Sequence, residues 1–174
     1  RQRLEGFKQM GVLTGFWGYF DVWPWTRDRM EPPEKYAVYL NQLKDATETG
    51  TSIFFVEGSD NWGPKGRLYW LTSKLTWDST PGADVFLDDF YAKAFDAAKE
   101  PMKSYYTGFD TQAHTDSLYA LAFQNLAQGL QLTLSNDAVQ ERIRHVLYHA
   151  LFRWRWGDNI QAGYAFPNVD DAKA

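Results

Sequence analysis

The sequence contains no cysteine. That excludes a disulfide framework and any thiolate metal site. It leaves the compartment open, because many exported proteins also lack cysteine, and an extracytoplasmic setting is favoured. No stretch approaches the roughly 20 consecutive apolar residues of a membrane span, so no membrane span is expected. No basic run is present, and the net charge is -4. Binding to nucleic acid depends on Lys and Arg neutralising phosphates, so this balance argues against a nucleic-acid partner. The chain opens on Arg1 rather than Met and carries no signal pattern. It is therefore expected to begin inside a longer gene product or after processing. Internal repeats and low-complexity segments are also missing.

What is abundant is aromatic surface. Of 174 residues, 44% are hydrophobic and 23% charged, as in ordinary folded proteins, but 17% are aromatic. Eight Trp, ten Tyr and twelve Phe exceed what a core of this size needs, so part of that excess is expected at a surface or cleft.

Along the chain, residues 1–10 read as the tail of a helix that stops at Gly11. VLTGFWGYFDVW, residues 12–23, is rich in β-branched and aromatic residues, as strands are. A Pro-containing loop follows, then helical spacing of Tyr36, Tyr39, Leu40 and Leu43 up to Gly50. TSIFFVEG, residues 51–58, is a short apolar run that reads as a buried parallel strand. SDNWGPKG reads as a loop, with a helix from Arg67 through Trp77. Strands alternating with helices predict βαβ units and a parallel sheet. From residue 83 the spacing predicts three helices. They cover 83–106 (Phe86, Phe90, Ala94, Ala98, Met102 and Tyr105 on one face), 116–134, and 136–156 capped by Asn136. In the last of these, Val139, Ile143, Val146, Ala150 and Trp154 are expected to face inward.

Two constellations could carry chemistry. Asp21 stands where the first strand should end, beside Trp23 and Trp25; Glu57 ends the second, followed by Asp60, Asn61 and Trp62. Ligands of open sheets and barrels bind at the carboxyl ends of strands. Carboxylates accept hydrogen bonds from sugar hydroxyls, and indole faces cover the C–H side of a sugar ring. Paired acids are also what glycoside hydrolysis uses. Structural readings stand beside these: an Asp capping a turn among core tryptophans, and a helix-entry loop at 56–66 with Asp60 or Asn61 capping and Gly63-Pro64 turning. His145 and His149 are four apart on one helix, but no Glu lies between them, His114 is distant, and no third ligand is evident. No metal and no cofactor are expected. FRWRWG, residues 152–157, could bind an acidic sugar through Arg153 and Arg155 or, as the simpler reading, lock the helix end.

Glu57, Asn61-Trp62-Gly63, Tyr69, Leu75-Thr76-Trp77-Asp78, Asp89-Phe90-Tyr91, Met102 and Tyr105-Tyr106 together resemble the pattern of the bacterial domain-of-unknown-function family 4838. That family is similar to α-glucuronidases and, more distantly, to β-hexosaminidase-type barrels. The resemblance covers about residues 12–106. One departure is Asp96, where the family pattern expects Gly. The resemblance implies an α/β chain. Residues 1–78 would hold the last two strand–helix units of a (β/α)8-type barrel, and 79–174 a helical extension. It implies a C-terminal segment of a glycoside-hydrolase-like protein, with a carbohydrate ligand and an N-terminal part of the same protein as partners. Asp21 and Glu57 would be the catalytic acids; Trp23, Trp25, Asp60, Asn61 and Trp62 would contact substrate. The alternatives are a non-catalytic carbohydrate-binding or scaffold module and a helical interaction domain.

Overall fold

The computed structural model describes residues 2–19, 43, 45–46, 48–51, 53–57, 62–78, 80–112 and 115–157; at 18–19, 56–57, 62–65 and 156–157 it describes the backbone alone. Helix α1 (Gln2–Gln9) buries no residue. It stops at Gly11, whose φ of 70° suits a residue without Cβ. Strands β1 (Gly15–Tyr19) and β2 (Ile53–Glu57) follow, both inside the apolar runs that predict them. They pair in parallel, from Gly15 opposite Ile53 to Tyr19 opposite Glu57.

Alternation along the strands gives the pair two faces. Phe16 and Phe54, with ring centroids 6.0 Å apart, pack on a small core of Leu43, Leu68, Leu71 and Leu75. The last three of these lie on α2 (Trp62–Trp77). Trp17, Ile53 and Phe55 point the other way and are 61%, 60% and 53% exposed.

The larger core is a bundle of α3 (Ala83–Phe95), α4 (Lys99–Thr111), α5 (Asp116–Leu132) and α6 (Asp137–Phe152). Their apolar stripes recur at three and four residues and meet one another. Met102, Tyr105, Leu126, Ile143 and Ala150 are at most 1% exposed. The Thr115 and Asn136 side chains accept hydrogen bonds from the first-turn amides of α5 and α6. At Gly129 a Cβ would lie 3.3 Å from Ile143 and 3.4 Å from the Ala98 Cβ, so glycine lets three segments meet there. Leu87 packs on both cores.

The architecture corrects the expected fold class. Among the described residues the chain is mostly helical, with one two-stranded sheet, and it resembles a helical bundle rather than barrel units. The strand signals were local and produced short strands. The long amphipathic stripes after residue 83 bury their apolar faces mainly against each other.

Two further expectations at 83–106 and 136–156 change in detail. The first segment is two helices joined by a 3-10 turn, Asp96–Ala98. Pro101 explains the break: inside a continuous helix its ring would meet the carbonyl four residues earlier, whereas the first turn of α4 tolerates it. At the other end α6 stops at Phe152 and passes into a π-helical turn, Arg153–Gly157. Arg153 is buried there, and Trp154, expected inside, is 47% exposed.

Candidate functional site

The parallel register brings one pair of chain positions together. Tyr19 and Glu57 are backbone partners at the carboxyl ends of β1 and β2. Asp21, Trp23, Trp25, Asp60 and Asn61 are the candidate residues that follow these two strands in sequence. These five residues lie outside the described residues. Glu57 is the last residue of β2, and Trp62 is the first of α2. The helix thus begins five residues earlier than Arg67, where the sequence suggested. Gly63-Pro64 falls inside its first turn rather than in a loop, a position that costs proline no hydrogen bond.

A polar network that the sequence reading did not single out lies further along α2. Arg67 donates from both terminal nitrogens to the two carboxylate oxygens of Asp110 on α4, each at 2.5 Å. The side chains are only 11% and 21% exposed. Such a fork-to-fork pair is directional as well as strong. Arg67 also donates to the Tyr91 hydroxyl at 3.3 Å, and its guanidinium sits 4.6 Å from the centroid of the Tyr106 ring. Burial raises the Tyr91 hydroxyl above the ordinary phenol range, with Arg67 opposing. A faint signal existed in the sequence: Tyr91 and Tyr106 belong to the family-like pattern, and Arg67 follows its Trp-Gly step. The partner Asp110 carries no local cue.

His145 pairs with Glu141 at 3.1 Å on the exposed side of α6, whereas both ring nitrogens of His149 are shielded from solvent. Their four-residue spacing therefore does not present two ligands to one shared space. Trp154 donates to Asp116 at 3.2 Å and meets Phe123 edge-on at 5.8 Å, which pins the π-helical turn to α5. No helix among the described residues is long and apolar enough to cross a membrane. Compared with protein-family models, with curated proteins and with solved structures, the chain matches none.

Proposed function

We propose that this chain belongs to a carbohydrate-handling protein of glycoside-hydrolase-like character, with its sugar site at the carboxyl ends of β1 and β2. The observation that supports the reading is the Tyr19–Glu57 pairing. Neighbouring strands run about 4.8 Å apart, so acids carried just past the two strand ends start from adjacent backbones. Glycoside hydrolysis uses carboxylates about 5–10 Å apart. In this reading Asp21 and Glu57 protonate, attack or orient. Trp23, Trp25, Asp60, Asn61 and Trp62 receive the sugar rings and hydroxyls.

The test separates site residues from structural ones. Glu57→Gln and Trp62→Ala are each measured by thermal unfolding and by glycan-array binding or hydrolysis. The expected result is little loss of stability and a large loss of binding or turnover. A core Trp would instead cost about 3–5 kcal/mol on truncation. Variants that melt far below the parent while handling glycan normally would remove the sugar-site assignment. A second reading, a helical interaction module, is favoured by the bundle itself. A glycan array without any hit would leave that reading in place.

A further inference from the structure

The outer face of α6 carries a stripe that the bundle does not use. Val139, Ile143, Val146 and Ala150 are the buried side of the helix. Leu134, Glu141 and Tyr148 recur every seven residues, and so do Asp137, Arg144 and Leu151, three positions further on. Spacings of three, four and seven keep residues on one helix face, so the last five of these share a side of α6. Leu134 stands in the turn just before the Asn136 cap. All six are exposed, among them Leu134 at 69%, Tyr148 at 62% and Leu151 at 40%. The polar contacts of the stripe stay within the helix. Glu141 meets Arg144 at 3.5 Å and His145 at 3.1 Å, and Arg144 donates to Gln140 at 2.8 Å. Exposed pairs of this kind contribute little and rearrange readily.

Turned end for end, this stripe is its own complement. Counted inward from both ends, Leu134 falls opposite Leu151, Asp137 opposite Tyr148, and Glu141 opposite Arg144. Apolar side chain meets apolar side chain, a carboxylate meets a phenol that can donate to it, and acid meets base.

We propose that the outer face of α6 docks a second copy of this chain, antiparallel, about a two-fold axis level with the Arg142–Ile143 peptide. A two-fold interface requires that if one residue touches another, the second touches the first across the axis. The stripe meets that requirement at all three pairs. Its charges also choose the direction and register. A parallel pairing in register would set Glu141 on Glu141 and Arg144 on Arg144, and like charges in contact oppose association. Sliding the second copy two turns would set Leu151 over Glu141. At the proposed register the axis carries two acids and two bases, with a leucine pair at each end. The helix is about 24 Å long, so the contact is a small, reversible one. The inference is independent of the sugar site at the strand ends.

The absence of cysteine allows introduced thiols to read the register. Leu134→Cys and Leu151→Cys are made as two separate variants. The two positions are about 26 Å apart along one helix. In the proposed dimer, two copies of the same variant therefore hold their thiols far beyond disulfide reach. Mixed under mild oxidation, the two variants are expected to form a dimer joining position 134 to position 151, identified by peptide mass spectrometry. Each variant alone should stay largely uncrosslinked. If each links to itself as readily as to the other, or if the mixture gives no link, the proposal fails. A second arm reads the charges by sedimentation. Glu141→Arg gathers four basic groups at the axis and should weaken association through this face by about tenfold or more. Combining it with Arg144→Glu inverts both charges and should restore the parent's association. The strand pair carries none of these residues, so the swap reports on α6 alone. Association that ignores the single change, or that the double change does not restore, overturns the assignment.

Discussion

At Asp96 the backbone takes φ 49°, ψ -119°, a conformation suited to glycine and strained for a residue with Cβ. The residue ends α3 and opens the turn into α4, and there the family-like pattern expects glycine. Strain of this kind costs about 1–2 kcal/mol, while a glycine adds back about 0.4–1 kcal/mol through the freer unfolded chain. Asp96→Gly should therefore stabilise by about 0.5–1 kcal/mol, read as a higher Tm. The 3.5 Å contact from Asn136 to Asp96 is long and exposed, so its loss changes little. Asp96→Ala keeps the Cβ and should show no gain. Equal melting of the two variants would mean that no strain is relieved. At Arg67 the sign reverses. Asp110→Asn leaves a largely buried guanidinium without its charge partner, and breaking such a pair costs about 3–5 kcal/mol when fully buried. With the pair partly exposed, a loss of about 2–3 kcal/mol in denaturant unfolding is expected. A loss under about 0.5 kcal/mol would class it with surface pairs.

Helices declare themselves in sequence when their own residues carry both the stripe and the cap. Thr115 and Asn136 precede α5 and α6, and Leu118, Ala122, Leu126, Val139, Ile143 and Val146 repeat behind them, so both helices were legible. The α3–α4 break was less so, because Phe90, Ala98 and Met102 continue the stripe across it. Only Pro101 marks it. The hairpin is then held from outside the stripe. Asp88 on α3 accepts from Lys99 at 2.7 Å and Lys103 at 3.1 Å on α4. The hydrogen bond from Lys99, then that from Lys103, holds the Asp88 carboxyl below its ordinary 3.8. A depressed folded-state pKa gives stability that is present above 3.8 and lost as pH falls through the lower folded value. The hydrogen bond to Asp88 raises Lys103 above 10.5, so its share is present below 10.5 and lost as pH rises through the folded value. Asp88→Asn should accordingly lower Tm at neutral pH, and the gap to the parent should close at the acid end. A gap unchanged down to strongly acid pH would assign the effect to something other than this charge cluster. The lysines are exposed enough that the gap should also shrink in high salt.

For the molecule as a whole, sequence reading located the parallel strands and the helical majority but misjudged which dominates. Periodicity reports how each segment is patterned, not which partner its apolar face finds. The apolar face of 83–152 found other helices, and that made a bundle. Arg67 and Asp110, 43 positions apart, could meet only once that packing existed. Parallel strands are ordinarily covered on both faces; among the described residues the Phe16–Phe54 face packs on a core, while Trp17, Ile53 and Phe55 stand more than half exposed. Contiguous apolar surface of that kind drives association. The chain should bind a hydrophobic dye and associate with rising concentration in sedimentation measurements. Trp17→Ser with Phe55→Ser should reduce both effects. The double variant should leave helical circular dichroism almost unchanged, because neither ring reaches the bundle core and their 5.2 Å contact is with each other. A parent that stays monomeric without dye uptake would show the face to be covered within the chain. If instead the double variant loses the bundle's helicity, the strand pair and bundle form one cooperative unit, and the exposed rings are part of what holds it together.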